Sequence, residues 1–306
     1  MISNFKSDMM RKYEMSDLGI LHYFLGIEIV QAVKGIFITQ KKYAKTILEK
    51  FKMLGCNVVA TPLVVNEKFS KEDGSGKVDE SLYRSLVGSL LYLTATRPDI
   101  MYAASFMPRF MHNPTKIHYG AARRILRYIQ GIMDFGILYE RNVEPKLFGF
   151  CDSDWGGRVD DLKFTGYTFT LGTGVFSWAS KKQKSVALST AEAEYIFASI
   201  ATSQAIWLKR VIEDFGEKQA SATTILSDNK SAIVMSKNPM YHSRAKHIAL
   251  KFHYIRDAVE ENEIDLVYCN TDNQVADIFT KALPRERFEY LIGLQGVQKQ
   301  SIKREC

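Results

Sequence analysis

Four acidic residues lie far apart in the chain, each beside apolar sequence where a strand should end or a helix begin: Asp152, Glu194, Asp228 and Asp277. One buried carboxylate is costly, and several meeting at one point need a cation to neutralise them. Hard divalent ions take oxygen ligands, and a pair of Mg2+ ions held on carboxylates is suited to phosphodiester hydrolysis. That chemistry requires the surrounding elements to bring the four together.

Each acid has a competing structural role. Asp152 closes the run Leu147-Phe148-Gly149-Phe150-Cys151-Asp152, whose two apolar faces predict a central strand. The alternative is a turn-forming Asp before Trp155-Gly156-Gly157. Glu194 competes with Glu192, which has the spacing to close a capping box on Ser189. The two glutamates are about 200° apart around a helix and cannot face one site together. Glu194 lies next to the apolar stripe Ala193, Phe197, Ile200, Leu208 and Val211, which favours it. Asp228 follows the strand-like Thr224-Ile225-Leu226-Ser227 and could serve as a helix N-cap. Asp277 is expected inside a helix over 273–283, where Thr271 or Asp272 can cap and an interior Asp has poor propensity.

The elements around them read as follows. Strands are expected over 23–30 and 35–39, then a helix over 43–53 carrying Tyr43, Ile47, Leu48 and Phe51 at helical spacing. Residues 66–81 form a polar, flexible loop. Helices fill 82–133, with Pro98 and Pro114 each opening a new one. From 146 the expected order is β-β-β-α-β-α-α-β-α, a single α/β domain with a mixed sheet. Its hairpin turns at Gly172-Thr173-Gly174, and its helices cover 189–215, 244–262 and 273–283.

The 306 residues suffice for more than one domain, and the net charge of +7 is uneven. Residues 1–145 hold 20 Lys/Arg against 14 Asp/Glu, and residues 146–306 hold 21 against 20. A basic part joined to a near-neutral part with an acidic cluster suits binding and processing of a polyanion, although basic residues also serve solubility. Arg123, Arg124 and Arg127 beside Tyr128, and Lys181 and Lys182 after a strand, are candidate nucleic-acid contacts; a solvated face is the competing reading. His247 and His253 do not share a helix face, and Trp155 and Trp178 suit a core. The four cysteines have no zinc spacing. No apolar run is long enough to span a bilayer, and residues 1–12 lack a signal-peptide core, so a cytoplasmic or nuclear, non-secreted protein without a membrane partner is expected.

Phe150-Cys151-Asp152-Ser153-Asp154-Trp155-Gly156-Gly157, Ser180-Lys181-Lys182-Gln183, Val186 to Tyr195, Asp228-Asn229-Lys230-Ser231-Ala232 and Ala276-Asp277-Ile278-Phe279-Thr280-Lys281-Ala282-Leu283 together resemble the ribonuclease H domain of copia-class LTR retrotransposon Pol polyproteins. Arg244-Ala245-Lys246-His247-Ile248 resembles the same family between its third and fourth acids. Met15-Ser16-Asp17-Leu18-Gly19 and Tyr23-Phe24-Leu25-Gly26-Ile27-Glu28 resemble the end of its reverse-transcriptase palm. Tyr83 to Tyr92, Thr96-Arg97-Pro98-Asp99-Ile100 and Arg124 to Tyr128 resemble its connection segment.

The resemblance implies a ribonuclease H-like mixed sheet with flanking helices over 146–295. A palm remnant over 1–62, a polar linker over 63–81, a helical thumb or connection-like segment over 82–145 and a polar tail over 296–306 complete the expected organisation. It implies hydrolysis of the RNA strand of RNA–DNA hybrids with two Mg2+ ions, Mn2+ being a possible substitute. Asp152 would bridge the ions, Asp277 would help hold the one that activates water, and Glu194 and Asp228 would hold the other. The expected partners are the hybrid and the remainder of a Pol polyprotein. The family's polymerase aspartates are expected upstream of Met1, so no DNA synthesis is expected of this chain. Tyr268 to Asp272 holds no histidine, where many ribonucleases H carry one, and the segment at Lys163 is a residue shorter than usual. The alternative function is a catalytically silent remnant that binds nucleic acid.

Overall fold

The computed structural model describes residues 2–17, 19–153, 164–182, 190–237 and 249–301. After α1 (Ile2–Lys12), β-branched and aromatic residues form an antiparallel series: β1 (Tyr23–Phe24), β2 (Ile27–Ala32) and β3 (Gly35–Thr39), with Val30 opposite Phe37. α2 (Lys41–Lys50) buries Ala44, Ile47 and Leu48; of the expected stripe, Ile47 and Leu48 are buried in it, Tyr43 is half-buried and Phe51 is buried just after it. α3 (Glu80–Leu93) starts where the Asp79 carboxylate accepts the Leu82 N–H. Pro98 opens a 3-10 turn into α4 (Met101–Phe106), and Thr115 with His118 closes a capping box on α5 (Lys116–Gly131). β4 (Phe135–Glu140) then pairs antiparallel with β3. Leu48, Leu86, Leu90, Ile125 and Ile129 form the middle of the core beneath these elements.

The polar stretch over 66–81 is pinned rather than free. Thr115 Oγ1 donates to the Asp73 carboxylate, Lys116 N–H donates to Gly76 O at 2.9 Å, and Val78 N–H donates to Pro114 O at 2.9 Å. Its many polar groups, which suggest a loop, here find partners on the start of α5.

A second sheet comprises β5 (Leu147–Ser153), β6 (Phe164–Leu171) and β7 (Gly174–Lys182). α6 (Thr190–Asp214), β8 (Thr223–Ser227), α7 (Lys230–Lys237), α8 (Ala249–Glu260) and β9 (Ile264–Tyr268) follow. The strand order is β7-β6-β5-β8-β9, antiparallel from β7 to β5 and parallel from β5 to β9. This is the ribonuclease H-like mixed sheet, with β5 at its centre. α6 covers one face through Ala193, Phe197, Ala201, Ala205 and Leu208. The expected strands over this region and the helix over 189–215 stand within a few residues of their limits, and the described part of the helix expected over 244–262 is Ala249–Glu260.

Two features depart from expectation. Residues 273–283 do not form one helix. They hold two short 3-10 turns, Thr271–Asn273 and Val275–Phe279, separated by an extended Gln274 with ψ 93°. The Gln274 side chain accepts Ala276 N–H and donates to Cys151 O at 3.1 Å, which fastens the segment to β5 in place of a continuous helix. The chain end is also not only a polar tail. α9 (Arg285–Leu294) and β10 (Val297–Lys299) return to the first unit, where β10 pairs antiparallel with β4 and Phe288, Leu291 and Val297 enter the first core.

Gly166 on β6 sits opposite Asp152, and a Cβ built on it collides with Phe279 Cβ of the Val275–Phe279 turn. Gly166→Ala should therefore cost about 1–3 kcal/mol in guanidinium denaturation. An unchanged midpoint would show that the turn is not seated on β6 as described.

Candidate metal centre

β5 ends at the centre of its sheet and delivers Asp152, which is 4% exposed. The neighbouring strand β8 ends at Ser227, so Asp228 emerges alongside. The capping role that competes for Asp228 is filled by its neighbour, because Asn229 Oδ1 accepts the Ala232 N–H. α6 crosses the same sheet end and turns Glu194, 5% exposed, toward both aspartates. One carboxylate oxygen from each of Asp152, Glu194 and Asp228 lies within 4.8 Å of the others. The Glu192 side chain and Ser189 lie outside the described residues, as do Trp155, the segment around Lys163 and the stretch holding Arg244 to Ile248.

Hydrogen bonds hold the three in place without neutralising them. Ser153 N–H donates to Glu194 Oε1 at 3.2 Å, Thr280 Oγ1 donates to Asp152 Oδ2, and Thr271 Oγ1 donates to Asp228 Oδ2 at 3.0 Å. Glu194 Oε2 is buried without a hydrogen-bond partner. Burial pushes the Glu194 carboxyl well above its ordinary range, with the Asp152 and Asp228 charges adding to the shift. An all-oxygen, anionic trio with an orphaned buried oxygen fits a hard divalent cation.

Asp277 is not one of the three grouped within 4.8 Å; it is linked to Asp152 through Lys281. It is fully buried, and its two carboxylate oxygens face different cations. Lys281 Nζ stands 2.7 Å from Oδ1, and Arg287 of α9 contacts Oδ2 while also donating to Thr271 O at 2.6 Å. Lys281 Nζ also stands 3.8 Å from Asp152 Oδ2. Burial, with the Asp152 charge beside it, pushes Asp277 up to about 7, against the pull of Lys281. The sequence reading assigned Lys281 and Arg287 no role. Lys281 had a signal in its four-residue spacing from Asp277; Arg287 had none, since α9 was not anticipated.

The proposed nucleic-acid residues divide. Arg123 lies against Met53 Sδ at 3.1 Å, Arg124 donates to Thr61 Oγ1 at 3.2 Å, and Arg127 donates to Asn57 O at 2.7 Å. These guanidinium groups clamp the segment after α2 onto α5. Lys181 and Lys182, at the end of β7, are exposed. Trp178 packs against the first core, its Nε1–H donating to Thr94 O at 3.1 Å. His253 is exposed beside Arg256, and His247 lies outside the described residues. No helix among the described residues is long and apolar enough to cross a membrane.

Residues 1–65 match the family described as reverse transcriptase (RNA-dependent DNA polymerase). Over 97% of its length the chain is 38% identical to the retrovirus-related Pol polyprotein from transposon TNT 1-94 of Nicotiana tabacum, covering 23% of that protein. Over 94% of its length it is 37% identical to the retrovirus-related Pol polyprotein from transposon RE2 of Arabidopsis thaliana, covering 20% of it. The chain thus spans about a fifth of the length of these relatives. Among solved structures, LC11-RNase H1 in complex with an RNA/DNA hybrid is 15% identical with a TM-score of 0.34, over 44% of this chain and 94% of that one.

The raised carboxyls set a pH dependence. In the unfolded chain Glu194 and Asp277 ionise in the ordinary carboxylate range, while the folded, metal-free protein keeps their protons longer, so stability falls as pH rises from about 4 to about 7. In EDTA, Glu194→Gln should raise the thermal midpoint by about 2–4 °C at pH 7.5 and leave it unchanged at pH 4. A lower midpoint at pH 7.5 would contradict the crowding of charge described.

Proposed function

Because the chain belongs to the Pol polyproteins of copia-type transposons, we propose that its second unit is a ribonuclease H that cleaves the RNA strand of RNA–DNA hybrids. The observation that carries this reading is the convergence of Asp152, Glu194 and Asp228 at the end of the central strand. Asp152, Glu194 and Asp228, with Asp277 beside them, would hold two Mg2+ ions, Mn2+ substituting. When bound, such ions lower the pKa of water and neutralise charge on the leaving oxygen.

The chain's own residues supply the rest. Asp152 projects from the centre of the sheet, held by Thr280. Ser153 N–H orients Glu194, and Thr271 orients Asp228. Lys181 and Lys182 stand exposed at the end of β7, where they would contact the phosphates of the hybrid. Arg123, Arg124 and Arg127 hold the segment after α2 onto α5, and Arg123, which is exposed, would remain open to a phosphate. Residues 1–62 are read as the end of a reverse-transcriptase palm and 82–145 as its connection to the ribonuclease H domain over 146–295, with α9 and β10 tying the two units together.

The test is cleavage of an RNA–DNA hybrid in Mg2+. Asp152→Asn and Asp228→Asn should each reduce the rate at least about a hundred-fold and leave hybrid binding in place. Equal cleavage by parent and variants would refute the assignment of these carboxylates. Hybrid binding with a steep salt dependence and no cleavage by the parent would identify a silent binding protein instead.

A further inference from the structure

Asp152 is shared between two environments. On one side it meets Glu194 and Asp228, where, among the described residues, the buried Glu194 Oε2 has no hydrogen-bond partner. On the other it faces Asp277 across the ammonium of Lys281, 2.7 Å from Asp277 Oδ1 and 3.8 Å from Asp152 Oδ2. We infer that Lys281 is a built-in placeholder cation, filling the position between Asp152 and Asp277 until a divalent ion replaces it, so that the two ion positions differ in affinity and fill in order. This rests on the metal-centre reading above and adds to it a regulation of the second position.

The side chains around Asp277 fit that role. Arg287 is anchored twice, to Asp277 Oδ2 and to Thr271 O, and its planar fork suits permanent attachment. Lys281 has a flexible stem, a compact charge and a side chain 36% exposed, so it can swing out to water. When Lys281 withdraws, Asp277 Oδ1 is released while Arg287 still holds Oδ2. Asp277 then presents a single, oriented oxygen beside Asp152. While Lys281 stays, it screens two buried carboxylates that would otherwise repel each other in the metal-free protein. Among the described residues Glu194 and Asp228 have no cationic side chain at ion-pair distance, so an ion seated on their side of Asp152 displaces none.

The test uses the full chain and Mn2+ followed by calorimetry. The parent should bind Mn2+ in two steps, the second weaker. Lys281→Met should tighten the second step about ten-fold or more and leave the first within about two-fold, and Lys281→Arg, which is harder to displace, should weaken the second step further. A second measurement needs no variant: amine methylation of Lys281, read by mass spectrometry, should speed up several-fold in saturating Mg2+ relative to EDTA. Lys209, paired with Glu263 at 2.9 Å away from the centre, should not change and serves as the internal control. Two Mn2+ steps unaltered or both weakened in Lys281→Met, or a Lys281 methylation rate indifferent to Mg2+, would overturn the placeholder role while leaving the metal centre standing. A parent that binds no Mn2+ would overturn the metal centre and the placeholder together.

Discussion

Concentrating negative charge in a poorly hydrated place is the constraint around which the second unit is arranged. At an effective dielectric near 20, two like charges about 4 Å apart repel by about 4 kcal/mol, several times the repulsion in water. The chain answers with a graded set of partners. Backbone and hydroxyl donors orient Glu194, Asp152 and Asp228, while cationic side chains pair closely with Asp277 and Lys281 also reaches Asp152 at 3.8 Å. At the trio Glu194 Oε2 is buried without a hydrogen-bond donor. A core built for stability alone would place an apolar residue there; a centre built to attract a cation leaves that oxygen bare.

The two units are linked through this same place. α9 packs Phe288, Leu291 and Ile292 into the first core, and from the next position in the chain Arg287 reaches Asp277. β10 then becomes the outer strand of the first sheet. Docking of the C-terminal segment onto the first unit therefore fixes a charge partner of the fourth acid. The Arg97–Asp99 ion pair, fully buried and joined by Tyr128 Oη–H donating to Asp99, stiffens the helical part against which α9 rests, and the Tyr128 and Phe288 rings meet edge to face. The second sheet and the preceding helices are thus mechanically continuous, and β10, from beyond the second sheet in the chain, pairs into the first one.

Much of this was legible in the sequence where one local rule governs. Alternation and β-branching located β5, β6, β7, β8 and β9, and helical spacing located α2 and α6. Glu194 is marked by its apolar neighbours and Asp228 by its place between a strand end and a helix start, whereas Asn229, not Asp228, caps that helix, which only the structure shows. Legibility failed where distant contacts override local preference. Val275, Ile278 and Phe279 have helical spacing, but the tie from Gln274 to β5 breaks the helix into turns. The contacts that the three arginines of α5 make with the segment after α2, 63 to 70 residues earlier, are likewise not encoded in any local pattern. β10 is three residues long and pairs with a strand more than 150 residues earlier, a register no local pattern encodes.

The central claim is that the carboxylates at the end of β5 form a cation site. The most direct measurement is the anomalous difference density of a crystal of the full chain grown in Mn2+. The account predicts a peak among Asp152, Glu194 and Asp228, with oxygen distances in the range for a hard divalent ion. Peaks confined to other surfaces, with these three side chains turned away from one another, would contradict it.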